Sequence, residues 1–133
     1  AQEFSLSDTT GYADPAQVKR LVRKVRAAVG ADKMTTLHLH NTRGLGLANA
    51  LAGLDEGITT LDASLAGLGG CPFAPGAAGN VSSEDVVYML ERAGVSTGMN
   101  LDSLIGASQW LSDIMGRKLP GMVAQAPPFP KIG

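Results

Sequence analysis

The sequence has a single cysteine, Cys71, so no disulfide can form within the chain. A reducing, cytoplasmic compartment is the expectation that follows. It also has little excess charge: eleven Lys and Arg against twelve Asp and Glu leave a formal net charge of −1. Neither nucleic acid nor a membrane surface is therefore an expected partner. No apolar run of about 18 residues occurs, so no transmembrane span is expected. No secretory signal pattern opens the chain. An initiating Met is absent too. "AQEFSLSDTTG" runs almost at once into a strand-like pattern, as a piece of a longer protein would.

What the chain does contain is enough for a core. Of its 133 residues, 44% are apolar, which suits one modest domain. Seventeen glycines mark turns and places where backbone approaches a ligand or another backbone closely.

The patterning alternates strand and helix. "EFSLS" alternates apolar and polar residues and reads as a strand. Asp14-Pro15-Ala16-Gln17 is a helix start, with Asp as the cap and Pro at the first helical position. Val18, Leu21, Val22, Val25 and Val29 follow at helical spacing, and Gly30 ends the helix. Lys19, Arg20, Arg23, Lys24 and Arg26 fall mostly off that stripe and read as a solvated face. "MTTLHLH" is a second strand, "LANALAGLDEG" a second helix and "ITTLDASLAG" a third strand. Ser82 or Ser83 caps a third helix, with Glu84 and Asp85 in its first turn and a stripe of Val86, Val87, Leu90 and Ala93. Asn100 caps a last helix that carries Leu104, Ile105, Trp110 and Ile114.

Strand–helix repeats predict parallel strands with right-handed crossovers. Three parallel strands alone would leave two open edges. The expected fold class is therefore α/β, a partial TIM (β/α)8 barrel comprising about its last three βα units plus a C-terminal helix. A small self-contained three-strand α/β domain is the alternative. Residues 1–118 form the expected barrel portion with its final helices. Residues 119–133, with four prolines, form an irregular tail.

Few residues carry chemistry. His38 and His40 stand two apart near a strand end, so period-two geometry sends both imidazoles to one face. They make a natural metal pair, or are two unrelated polar strand residues. Asp8 ends the first strand, where a carboxylate could orient substrate or move a proton, or cap the loop that follows. Asp62 lies in the third strand, as a satisfied buried polar contact or as part of the site. Cys71 sits between two glycines and a proline in "GLGGCPFAPGAAGN". A loop leaving a strand end suits a thiol delivered to a ligand better than a buried inert one. Asn80 closes that loop, as a helix cap or as an oxygen ligand.

These motifs resemble the 3-hydroxy-3-methylglutaryl-CoA lyase family. "GLGGCPFAPGAAGNVSSEDVVYMLERAGVSTGMNL" is similar to its signature region, "LHLHNTRGLGLANALAGLDEGITTLDASLAGLGG" to its metal-binding strand and the segment after it, and "SLSDTTGYADP" to the strand before. The resemblance implies a TIM barrel that uses Mg2+ or Mn2+ and cleaves a 3-hydroxyacyl-CoA to acetyl-CoA and a keto acid. For 3-hydroxy-3-methylglutaryl-CoA the keto acid is acetoacetate. It implies His38, His40 and Asn80 as metal ligands, Cys71 as the catalytic thiol, and Asp8 as a residue shaping the active site. A sister lyase acting on citramalyl-CoA, or an inactive truncated product, are the alternatives. A homodimer through the C-terminal elements is a possible assembly. Two positions depart from the family pattern: Asn41 stands where Asp is common, and Ala78 where Ser is common. The family's first-strand motif, with a metal-ligating Asp and a catalytic Arg, does not occur in these 133 residues.

Overall fold

The computed structural model describes residues 1–70 and 79–127. Its elements are β1 (Phe4–Asp8), α1 (Pro15–Val29), β2 (Met34–Leu39), α2 (Gly46–Asp55), β3 (Thr60–Asp62), α3 (Ser83–Arg92) and α4 (Leu101–Met115), with short 3-10 turns at Leu65–Gly67 and Val123–Gln125. The strands form one sheet in the order β1-β2-β3, with both pairings parallel. The βαβ alternation seen in the sequence is thus the architecture.

β2 is central and carries most of the strand burial: Met34, Thr36, Leu37 and Leu39 are all buried. A parallel strand covered on both faces reads as a nearly continuous apolar run, and "MTTLHL" is close to one. α1 lays Val18 and Val22 against this layer, while its basic face reaches α2. Lys19 Nζ lies 2.8 Å from Asp55 Oδ2, and Arg23 grips Glu56 through both carboxylate oxygens. The solvated face predicted for α1 is solvated, and it also ties the two helices together.

The helix starts follow their caps. Asp14, Ser82 and Asn100 each accept a backbone N–H three residues on, from Gln17, Asp85 and Ser103. Of the third-helix stripe, Val86 and Val87 are buried, whereas Ala93 is exposed. α4 leaves Trp110, Ile114 and Met115 exposed.

The third strand is shorter than its sequence pattern. It ends at Asp62, because Ala66 and Gly67 take left-handed backbone (φ 58° and 68°) and curl the chain into a 3-10 turn. Residues 79–82 then return alongside the strand ends. Asn80 bridges antiparallel to His40, and Ser82 bridges parallel to Ser64. No described helix is long and apolar enough to cross a membrane.

Candidate functional site

The C-terminal ends of the parallel strands gather the polar residues singled out by the sequence. Strand parity sends His38 and His40 to one side of β2, and their Nε2 atoms stand 3.3 Å apart. The rings are tilted by 60°, with centroids 5.3 Å apart. Two imidazole nitrogens bound to one first-row cation at about 2.1 Å and near right angles would stand about 3.0 Å apart, so the pair has ligand spacing.

The two histidines differ in environment. His38 is half-buried, and its Nδ1 lies 3.6 Å from Asp62 Oδ2. His40 is buried. Burial, and then the neighbouring His38 charge, lower its pKa below the ordinary imidazole value, with Asp8 opposing. A neutral imidazole is the form that binds metal.

Asn80 is placed by backbone. Its pairing with His40 rests on Asn41 N–H donating to the Gly79 carbonyl and Val81 N–H donating to the Leu39 carbonyl, each at 3.2 Å. Its side-chain Nδ2 donates to the Leu68 carbonyl at 3.2 Å. Ser82, not Asn80, caps α3. Among the described residues, Asn80 Oδ1 is buried without a hydrogen-bond partner, and so is His40 Nδ1. Buried polar atoms are normally satisfied, and a bound cation would satisfy the amide oxygen. Two imidazole nitrogens and an amide oxygen form a mixed N/O donor set that fits Mn2+ or Mg2+. Among the described residues no group of three or more His, Cys, Asp and Glu gathers at one place.

Close approach of backbone fixes this corner. A Cβ on Gly79 would stand 2.2 Å from both the Gly67 and Gly69 carbonyl oxygens. Only glycine lets the returning strand pass the turn that follows β3.

Asp8 adopts the capping role. Its two carboxylate oxygens accept the backbone N–H groups of Tyr12 and Ala13. It is also the carboxylate whose charge acts on His40. The adjoining loops are clamped together: Arg43 stacks 3.7 Å over the Tyr12 ring and donates to the carbonyls of Thr10 and Gly11. Asp62 is the last residue of β3 and is exposed rather than buried. Asn41 Oδ1 accepts from Gly46 N–H and so caps α2 from outside the helix. Cys71 and Ala78 lie outside the described residues.

Two residues of the site's support have no counterpart among the sequence-predicted ones. Glu84 and Asp85 read as first-turn acids of α3, yet both are buried. Glu84 accepts from Ala66 N–H and from the Ser108 hydroxyl. Asp85 accepts from the N–H groups of Met122 and Val123, which docks residues 121–125 onto α3. A Glu-Asp pair after a Ser cap carries only the dipole signal in sequence, and nothing local marks the distant partners.

Parallel strand–helix units with polar side chains gathered at the strand ends have the layout of part of an α/β-barrel enzyme. The model of the HMGL-like family matches residues 1–111, and the chain belongs to that family. It is 50% identical over 133 residues to the (R)-citramalyl-CoA lyase of Chloroflexus aurantiacus, covering 99% of this chain and 42% of that protein. It is 47% identical over 118 residues to the hydroxymethylglutaryl-CoA lyase YngG of Bacillus subtilis, covering 89% of this chain and 39% of that protein. Among solved structures, an HMG-CoA lyase from Acinetobacter baumannii in complex with coenzyme A and 3-methylmalate superposes with a TM-score of 0.88 at 47% identity, over 97% of this chain and 44% of that one. The chain therefore spans about two fifths of the length of the relatives it matches, and its fold is part of a TIM barrel.

Proposed function

We propose that the protein carrying this chain is a divalent-metal-dependent carbon–carbon lyase acting on 3-hydroxyacyl-CoA thioesters, with 3-hydroxy-3-methylglutaryl-CoA as the first candidate substrate. The observation that carries the reading is the donor set. His38 and His40 present paired Nε2 atoms beside Asn80, whose buried Oδ1 has no hydrogen-bond partner among the described residues. A bound Mg2+ or Mn2+ would supply Lewis acidity at the hydroxyl and carboxylate oxygens of such a substrate. His38, His40 and Asn80 would hold it, while Asp8 keeps the β1–α1 loop closed beside His40. Cleavage leaves a thioester enolate that needs a proton on carbon, and Cys71 is the group we assign to deliver it. The lone thiol also fits a reducing compartment.

Citramalyl-CoA is the second reading, favoured by the 50% identity to the Chloroflexus enzyme across the chain. A panel of 3-hydroxyacyl-CoA substrates assayed with the full-length protein tests both. Acetyl-CoA with acetoacetate as products supports the first, and acetyl-CoA with pyruvate the second. No cleavage of any member with Mg2+ or Mn2+ present overturns the lyase reading. In the same protein Cys71→Ala should abolish turnover and leave Mn2+ binding intact; unchanged turnover would remove the acid role.

A homodimer through the C-terminal elements belongs to the same proposal. α4 exposes Trp110, Ile114 and Met115, a patch more apolar than a solvated helix face requires. Trp110→Glu should convert the protein to monomer in light scattering; an unchanged mass would place the contact elsewhere.

A further inference from the structure

We propose that Glu84 is a positioning residue for Asn80, acting through the left-handed turn at Ala66 and Gly67. The inference rests on the metal reading above, since it concerns how one donor of that site is aimed.

Glu84 is fully buried and, among its described contacts, meets two donors rather than a cation. Its Oε2 accepts Ala66 N–H at 3.0 Å, and its Oε1 accepts the Ser108 hydroxyl at 2.7 Å. Ala66 is the only non-glycine among the described residues with positive φ. That conformation is unfavourable for an L residue, so something must hold it. Three contacts do: Glu84 on its N–H, Gly121 N–H donating to its carbonyl at 2.9 Å, and Gly67 N–H closing back on the Ser64 carbonyl.

The turn so held delivers the Leu68 carbonyl, the acceptor of Asn80 Nδ2. An amide with its nitrogen engaged presents its oxygen in one direction. If the Leu68 carbonyl shifts, the Asn80 amide is free to rotate, and Oδ1 is no longer fixed. The turn also lies against Asn80 itself: a Cβ on Gly67 would stand 3.2 Å from the Asn80 carbonyl oxygen, and one on Gly69 would stand 2.9 Å from Nδ2. Glu84 therefore reaches the site through four consecutive, tightly packed residues. Partners that orient a ligand in this way change metal affinity even though they never touch the ion.

The test is Mn2+ affinity of the full-length protein, measured by equilibrium titration, in a double-mutant cycle of Glu84→Ala and Asn80→Ala. Glu84→Ala should weaken Mn2+ binding by roughly tenfold to a hundredfold. In the Asn80→Ala background it should cause no further loss. Glu84→Gln should stay near wild type, because its carbonyl still accepts from Ala66 and its NH2 can donate to the Ser108 oxygen. Ser108→Ala, the milder variant should Glu84→Ala fail to fold, should weaken binding by less and also have no effect once Asn80 is gone. Val22→Ala, a buried α1 residue away from the site, serves as the stability control and should leave affinity unchanged. Additive losses in the cycle, or a loss matched by Val22→Ala, would overturn the positioning role and leave the metal site standing. A wild-type protein without Mn2+ affinity would overturn the metal reading and this inference with it.

Discussion

His40 and Asn80 are joined as a single antiparallel bridge, so a side chain on β2 and one on the segment returning after β3 are set by the same pair of backbone hydrogen bonds. Forty residues of sequence separate them, and the parallel sheet with its crossover brings them together. Any change that breaks the bridge moves two candidate donors at once.

Replacing either histidine of the imidazole pair, His38 or His40, should separate binding from folding. His38→Ala and His40→Ala should each abolish detectable Mn2+ binding in the full-length protein, with far-UV circular dichroism unchanged. Retained affinity in both variants would exclude the pair as ligands.

The lowered pKa of His40 has a definite pH signature. Because the folded state favours neutral His40, the unfolded chain takes up its proton first as pH falls through 6.5. Stability is then greatest above that value and declines below it, until the folded-state pKa is also passed. Urea midpoints compared at about pH 7.5 and pH 5.5 should fall at the lower pH, and His40→Gln should reduce the fall. An equal fall in the variant would assign it to other groups.

Asp8 holds two N–H groups of the β1–α1 loop. Asp8→Ala should destabilise by about 1 kcal/mol, as loss of a local cap does. Asp8→Asn, which keeps one acceptor oxygen, should cost less. Equal stability of wild type and Asp8→Ala in urea would leave the carboxylate free for a wholly catalytic role.

Asn41 caps α2 without charge. Asn41→Asp adds an anion at the helix N-terminus and should stabilise by about 0.3–1 kcal/mol. Asn41→Ala should destabilise by about 1 kcal/mol. Thermal melts of the three proteins decide it: a melting temperature for Asn41→Asp below wild type would show that the anion is resisted by its surroundings.

Gly79→Ala should be severe. Its methyl would press on two carbonyl oxygens at once, neither at the end of a flexible side chain. A loss of about 1–3 kcal/mol or more is expected in urea unfolding, with Mn2+ binding weakened in parallel. A variant as stable as wild type would mean that the segment after β3 can retreat.

Features with a local physical signature could be read directly from sequence. Asp14, Ser82 and Asn100 announce helices because a cap acts within three residues. His38 and His40 share a face because strand parity is a property of two positions. The features that escaped are those defined by a distant partner. Ala66 carries no mark of left-handed backbone, so "ITTLDASLAG" reads as one long strand where the chain stops at Asp62 and curls. Glu84 and Asp85 read only as first-turn acids of a helix because their partners lie on the 3-10 turn, on α4 and near residue 122. Asn80 could be read as cap or ligand, and only the tertiary placement of Leu68 shows which of its amide atoms is engaged.

The crowding of Gly79 against Gly67 and Gly69 bears on how a mutational scan of this protein would be interpreted. Position 79 should rank beside the histidines in intolerance, although it has no side chain with which to do chemistry. A ranking by tolerance alone would place it among the reactive groups. Scoring abundance separately from turnover would expose it as a matter of clearance: what the site requires there is an empty volume, and every side chain other than hydrogen fills it.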